Sequence, residues 1–306
     1  MDSVKQLFSR WNPLTLSFIG HIHAVKMMIL PRFLYIFQNI PIFLTKKFFN
    51  QIDSLISSFI WNNKRPRINK YHLQKSKKDG GLALPNLRLY YWAVNIRQLC
   101  FWLYWLDKNQ KPLWVDLELK AVKQFHLTSI LGTPLPLQLS KIPNLNLYPV
   151  IKQSLQICFQ FHNFLNFKQF KLSSFLYQNF LFKPSTTDPI FLLWKNKGIH
   201  SFTDLFCDGQ LMTFQELINK YSLAHTHFLQ YFQDRHFLQQ YLPKFPYLQE
   251  SDLLDTILKL NLFVKGSISR ICNLLLLQKE NLSLKIKQGW KRELNMTFVM
   301  KIGFEF

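Results

Sequence analysis

Seven cations lie within the fifteen residues from Lys64 to Lys78: Lys64, Arg65, Arg67, Lys70, Lys75, Lys77 and Lys78. Arginine presents a planar fork of N–H donors that matches a phosphate in bidentate fashion, and lysine acts as a point charge. Pro66 forbids a continuous helix through the run, so Arg65 and Arg67 alternate around it and can both splay outward. Lys26, Arg88 and Arg97 are secondary candidates for the same polyanion. Each phosphate neutralised would steepen the salt dependence of binding by about 0.7–0.9 in log–log slope. A run of charge is more often a solvated face. Here residues 45–97 hold eleven basic and two acidic residues, a net of +9, and the whole chain carries +21. That concentration favours nucleic acid as partner.

Other chemistry is poorly served. Cys100, Cys158, Cys207 and Cys272 are far apart and form no C-x-x-C pair, so neither a disulfide framework nor a zinc knuckle is expected, and a reducing compartment is the simpler reading. His21 and His23 are two apart and do not share a helix face. His225, His227 and His236 with Cys207 match no standard ligand spacing. No metal and no cofactor are expected.

The elements that must position the cations are helical. Thirty phenylalanines against nine glycines, in 306 residues, favour helices over tight-turned β architecture. Ser17 can cap a helix running to about Leu30, with Phe18, Ile22, Val25 and Ile29 on one stripe, and Pro31 is expected to end or kink it. Thr45 caps a second helix through Trp61. After the basic connector come a Gly80-Gly81 turn and a helix opened by Pro85 or Asn86 and reaching about Leu106. Its aromatics, among them Trp92, Phe101 and Trp105, are expected in the core, with Tyr90 and Tyr91 the best placed of them to stack on bases.

The expected fold class is mainly α: a helical bundle with a short hairpin or turn near Gly80-Gly81, then a second helical region. Residues 1–110 form a nucleic-acid-binding domain, the proline-containing stretch 111–149 is a linker, and residues 150–306 are helical again. Pro184 to Pro189 reads as a second linker, Thr213 to Glu216 as a capping box, and Asp208-Gly209 as a turn. Tyr231, Arg235 and His236 are expected to be an exposed set. A last helix, about Ser283 to Asn295, carries Lys285, Lys287, Lys291 and Arg292, either as a second polyanion contact or as a solvated face. No signal peptide or membrane span is seen, because Pro31, Arg32, Gln38, Asn39 and Pro41 interrupt the longest apolar stretch. No membrane partner is expected, and the expected location is the nucleus, the cytoplasm or both.

Several stretches together resemble a known family. GHIHAVKMMILPRFLYIFQNIPI (20–42), FIWNNKRPRI (59–68) and GGLALPNLRLYYWA (80–93) look like the second open reading frame protein of vertebrate LINE-type non-LTR retrotransposons. WKNKGIHSFTDLF, FQELINKYSL, FLQYFQDRHF, LDTILKL, KGSISRI and GWKRELN resemble its downstream helical region, in the family's order. The resemblance implies a thumb-like domain followed by a wrist-like helical region, with RNA and DNA, as a template–primer duplex, for partners. The other subdomains of an intact retrotransposon polyprotein would be further partners. The family's polymerase motif has an Asp-Asp pair that holds two metal ions. This sequence has no adjacent Asp-Asp, so no polymerase activity of its own is expected. His21 stands where the family commonly has Arg. The expected function is to grip the template–primer backbone without catalysis. The alternative is a 5′-truncated, non-functional retrotransposon remnant or a protein-interaction fragment.

Overall fold

The computed structural model describes residues 2–102, 112–122, 125–127, 129, 145–165, 172, 174–241 and 253–279. Among them the chain is mainly helical, and one two-stranded antiparallel sheet is present. It divides into two units by packing: residues 1–97 with 251–306, and residues 98–250. Residues 251–306 thus group with the amino-terminal segment, where the sequence suggested one continuous region from 150 to 306.

The first unit begins with α1 (Asp2–Trp11), α2 (Phe18–Ala24) and α3 (Leu30–Asn39). Ser17 caps α2 by accepting from Gly20 N at 3.1 Å. Pro31 does not end this helix. A π turn over Val25–Ile29 joins α2 to α3, and Leu30 N donates to Val25 O, five residues back. The wider turn makes room for a ring that has no N–H and would crowd the preceding turn of an α-helix. Thr45 caps α4 (Lys46–Ile60), as its sequence suggests. Helix α4 buries Phe49, Ile52, Ile56, Phe59 and Ile60. That three-and-four spacing makes one apolar face, and each large side chain fully buried stabilises by about 1.5–3 kcal/mol. Phe59 stacks on Phe8 with centroids 4.3 Å apart. Two short elements follow, α5 (Lys70–Gln74) and a 3-10 turn at Lys77–Asp79, and then α6 (Leu87–Phe101). Asn86 caps α6, its Oδ1 accepting from Leu89 N at 3.1 Å. Residues 267–279 form the main helix described in the carboxyl-terminal part of this unit.

The second unit has its own core of Phe182, Phe191, Trp194, Phe202 and Phe237. The stretch expected as a linker at 111–149 contains the helix α7 (Leu113–Ala121). The second expected linker is also structural. Pro184–Thr187 is a helical turn, and Ser185 is buried and donates to Phe182 O at 2.7 Å. Asp208 and Gly209, both with positive φ, turn β1 (Phe206–Cys207) into β2 (Gln210–Leu211). The Thr213/Glu216 capping box is formed in both directions. Tyr231 is buried, contrary to expectation, and donates to Met212 O at 3.0 Å, while Arg235 and His236 are exposed.

Candidate nucleic-acid interface

The basic connector takes its shape from four local devices. Trp61 closes α4, and Asn62 and Asn63 follow in the left-handed region at φ 51° and 60°. Asparagine tolerates that region better than most side chains. Their turn ends the helix, and Lys64 to Arg67 follow it exposed. Asn69 then caps α5, accepting from Tyr71 N at 2.9 Å. Ser76 caps the 3-10 turn and donates to Asp79 Oδ2 at 2.7 Å. The two glycines do different jobs. Gly80 has φ 74°, where a side chain is strained. At Gly81 a Cβ would lie 2.2 Å from Lys75 O, so only glycine permits the backbones to approach. Beyond them Leu84 N donates to Leu73 O and Ala83 N to Lys75 O, both at 2.8 Å, which folds the loop back on α5. The feature near Gly80-Gly81 is a tight turn without strands.

This geometry sorts the ten expected phosphate contacts. Lys64, Arg65, Arg67, Lys77 and Lys78 are exposed, and their side chains have no ion-pair or hydrogen-bond partner among the described residues. The other five have structural engagements. Lys26 Nζ donates to Leu82 O at 2.6 Å and clamps the returning loop. Desolvation, and then the charge of Lys77, lower its pKa. Lys70 is paired with Asp53. Lys75 lies over the Tyr71 ring at 5.4 Å. Arg88 lies over Trp92 at 4.7 Å, and burial lowers its pKa. Arg97 Nε donates to Leu262 O at 2.9 Å, tying α6 to the carboxyl-terminal segment of its own unit.

The aromatics divide too. Tyr91 is 1% exposed and is a core residue. Its hydroxyl donates to Ile42 O at 2.9 Å and accepts from Leu44 N at 3.2 Å. Tyr90 is half-buried, its pKa raised by burial and by Cys272 and offset by a hydrogen bond with Ser269. His21 is buried, edge-on to Phe59 at 4.8 Å, with Nδ1 3.0 Å from Ser17 O. It occupies the core and does not face a polyanion.

One cation escaped the sequence reading. Lys279 is the last described residue of the helix 267–279, and its pKa is lowered first by desolvation and then by Lys70 and Arg88, with Asp53 acting the other way. Lys70, Arg88 and Lys279 therefore share one neighbourhood. Nothing in the periodicity around Lys279 announces this, because the pairing is made by the return of a distant segment.

Among the described residues no group of three His, Cys, Asp or Glu could hold a metal. His227 is buried and accepts from Trp194 Nε1 at 3.1 Å, which occupies its Nδ1. The four cysteines are free thiols, with Cys100, Cys158 and Cys272 buried and their pKa values pushed up to about 12. No helix among the described residues is long and apolar enough to cross a membrane. The basic stretch 283–295 lies outside the described residues. No family model matches the chain.

Proposed function

We propose that this chain binds RNA and DNA through their phosphate backbones, as the thumb-like and downstream helical part of a LINE-type reverse transcriptase, and performs no polymerisation itself. The observation that carries this reading is the connector. Five cations, Lys64, Arg65, Arg67, Lys77 and Lys78, are presented free on a loop whose backbone is fixed by caps, glycines and the Lys26 clamp. A shaped loop with unspent charge suits a regular array of phosphates, and phosphate contacts by themselves carry no sequence information. The resemblance supplies the template–primer duplex as the natural substrate. The absence of an adjacent Asp-Asp argues against metal-dependent phosphoryl transfer by these residues.

Binding of duplex and single-stranded RNA and DNA, measured from low to moderate salt, tests this. Replacing Lys64, Arg65 and Arg67 together by Ala should weaken binding to all four and lower the salt slope by roughly 2–3. Selective loss of one sequence, or an unchanged slope, would defeat the backbone model.

One observation favours the reading as a protein-interaction fragment. A cavity of 710 Å³ lined by Ile29, Phe33, Ile36, Phe37, Ile42 and Tyr91 opens beside α3, and two more of its lining residues, Tyr35 and Ile40, are exposed. An apolar surface of that kind suits a protein partner such as the other subdomains of a polyprotein. Aggregation of the isolated chain, relieved by an added polymerase palm fragment, would support it.

A further inference from the structure

A second cavity, of 340 Å³, lies in the first unit between the connector and the helix 267–279. Gln74, Lys75, Asn86, Tyr90, Cys272 and Asn273 are among its walls. Gln74 is 6% exposed. Its Oε1 accepts from Asn86 Nδ2 at 3.1 Å, but its buried Nε2 has no hydrogen-bond partner. Buried donors are almost always paired, and an unpaired one is costly to keep. Gln74 Nε2 lacks an acceptor, so a ligand that completes it must bring one.

The surroundings narrow the ligand. The cavity lies within the size range of small-molecule sites. Its walls mix apolar side chains, Leu89 and Leu276, with the ring of Tyr90 and a few polar groups. That mixture suits a flat ring system with polar edges. Lys75 contributes a cation to the same wall, Lys77 and Lys78 follow it two and three residues on, and the one carboxylate in the wall, Asp79, accepts from Ser76 at 2.7 Å. A ring attached to a phosphate chain satisfies the apolar walls, the Tyr90 ring, the open donor and the cations.

We propose that this cavity takes one unpaired nucleobase, whose carbonyl oxygen accepts from Gln74 Nε2 while its backbone lies against the basic connector. The inference rests on the nucleic-acid reading above. It adds to it a preference for a flipped or bulged nucleotide over continuous duplex, with the base in the cavity and the flanking phosphates on the loop.

The test uses the full chain and three RNA probes at one salt concentration: a duplex with one bulged uridine, the same duplex with an abasic bulge, and a fully paired duplex. The expected result is about tenfold tighter binding to the uridine bulge than to the abasic one, the order expected for one stacked base. Gln74→Met should abolish that preference and leave affinity for the paired duplex unchanged. Gln74→Glu, which keeps an acceptor for Asn86 Nδ2, should abolish it also and serves if the Met variant melts early. The Lys64/Arg65/Arg67 triple Ala variant should lower affinity for all three probes and preserve the preference. Equal wild-type affinity for the two bulges, or a preference that survives both Gln74 changes, overturns the pocket and leaves the backbone reading standing. No affinity for any probe overturns both.

Discussion

Asp234 is 1% exposed, and neither of its carboxylate oxygens has a hydrogen-bond partner. Burial raises its pKa well above the usual carboxylate range, which favours the neutral acid. In the unfolded chain the same group ionises near pH 4. The unfolded state therefore binds fewer protons above that pH, and stability falls as pH rises from about 4 toward the folded pKa. Asp234→Asn should remove this slope and raise the urea midpoint at pH 7 relative to the parent, with little difference at pH 4. His126 acts in the opposite sense. Burial and then Lys195 depress its pKa to about 3, so the unfolded state binds the extra proton between about pH 6.5 and 3. The stability it carries is complete above pH 6.5 and is lost as pH falls. His126→Phe should flatten the acid limb by up to about 1.4 kcal/mol per pH unit. Urea titrations at half-unit pH steps would separate the two.

At the scale of elements, the Gly80-Gly81 turn gives the sharpest contrast. Gly80→Ala places a side chain at φ 74° with nothing within 4 Å of its Cβ, so only the backbone conformation resists, at about 1 kcal/mol. Gly81→Ala must displace Lys75 O and break the return of the loop onto α5. It should lower the melting temperature several times more than Gly80→Ala does, and under the proposed function it should weaken nucleic-acid binding where Gly80→Ala leaves it close to unchanged. Much of this local architecture is legible in the sequence. Ser17, Thr45, Pro66, Asn86 and Thr213 act where their chemistry says they should. Pro31 does not end its helix, because a π turn absorbs what an α turn cannot. Tyr231 misleads for another reason. Like Tyr91 it carries a hydroxyl that a distant backbone carbonyl satisfies, and no local pattern reports such a partner. The cations show the same limit. Charge and spacing identify Lys26, Lys70 and Arg97, but Leu82, Asp53 and Leu262 engage them, and only the fold supplies those neighbours.

At the scale of the molecule, the first unit is discontinuous and the second is not. A chain ending at residue 250 should keep the unfolding transition of the second unit, whose core of Phe182, Trp194 and Phe202 is self-contained. It should lose the first unit's transition, because Leu262 O no longer holds Arg97 and the helix 267–279 no longer covers Tyr90. Calorimetry of the two chains side by side would decide this. Two unchanged transitions would mean that residues 1–97 fold without the carboxyl-terminal segment.

That discontinuity also sets an order of events at the ribosome. About 150 residues separate Arg97 from the segment that completes its unit. At about 5–20 residues per second, their synthesis takes roughly eight to thirty seconds. Through that interval the second unit can finish folding, although it comes later in the chain. The basic connector meanwhile stands beside a half-built wall, with Gln74 and Tyr90 open to water and a net charge of +9 over residues 45–97. A polyanion encountered then, the message being translated included, would meet this surface before the cavity behind it exists.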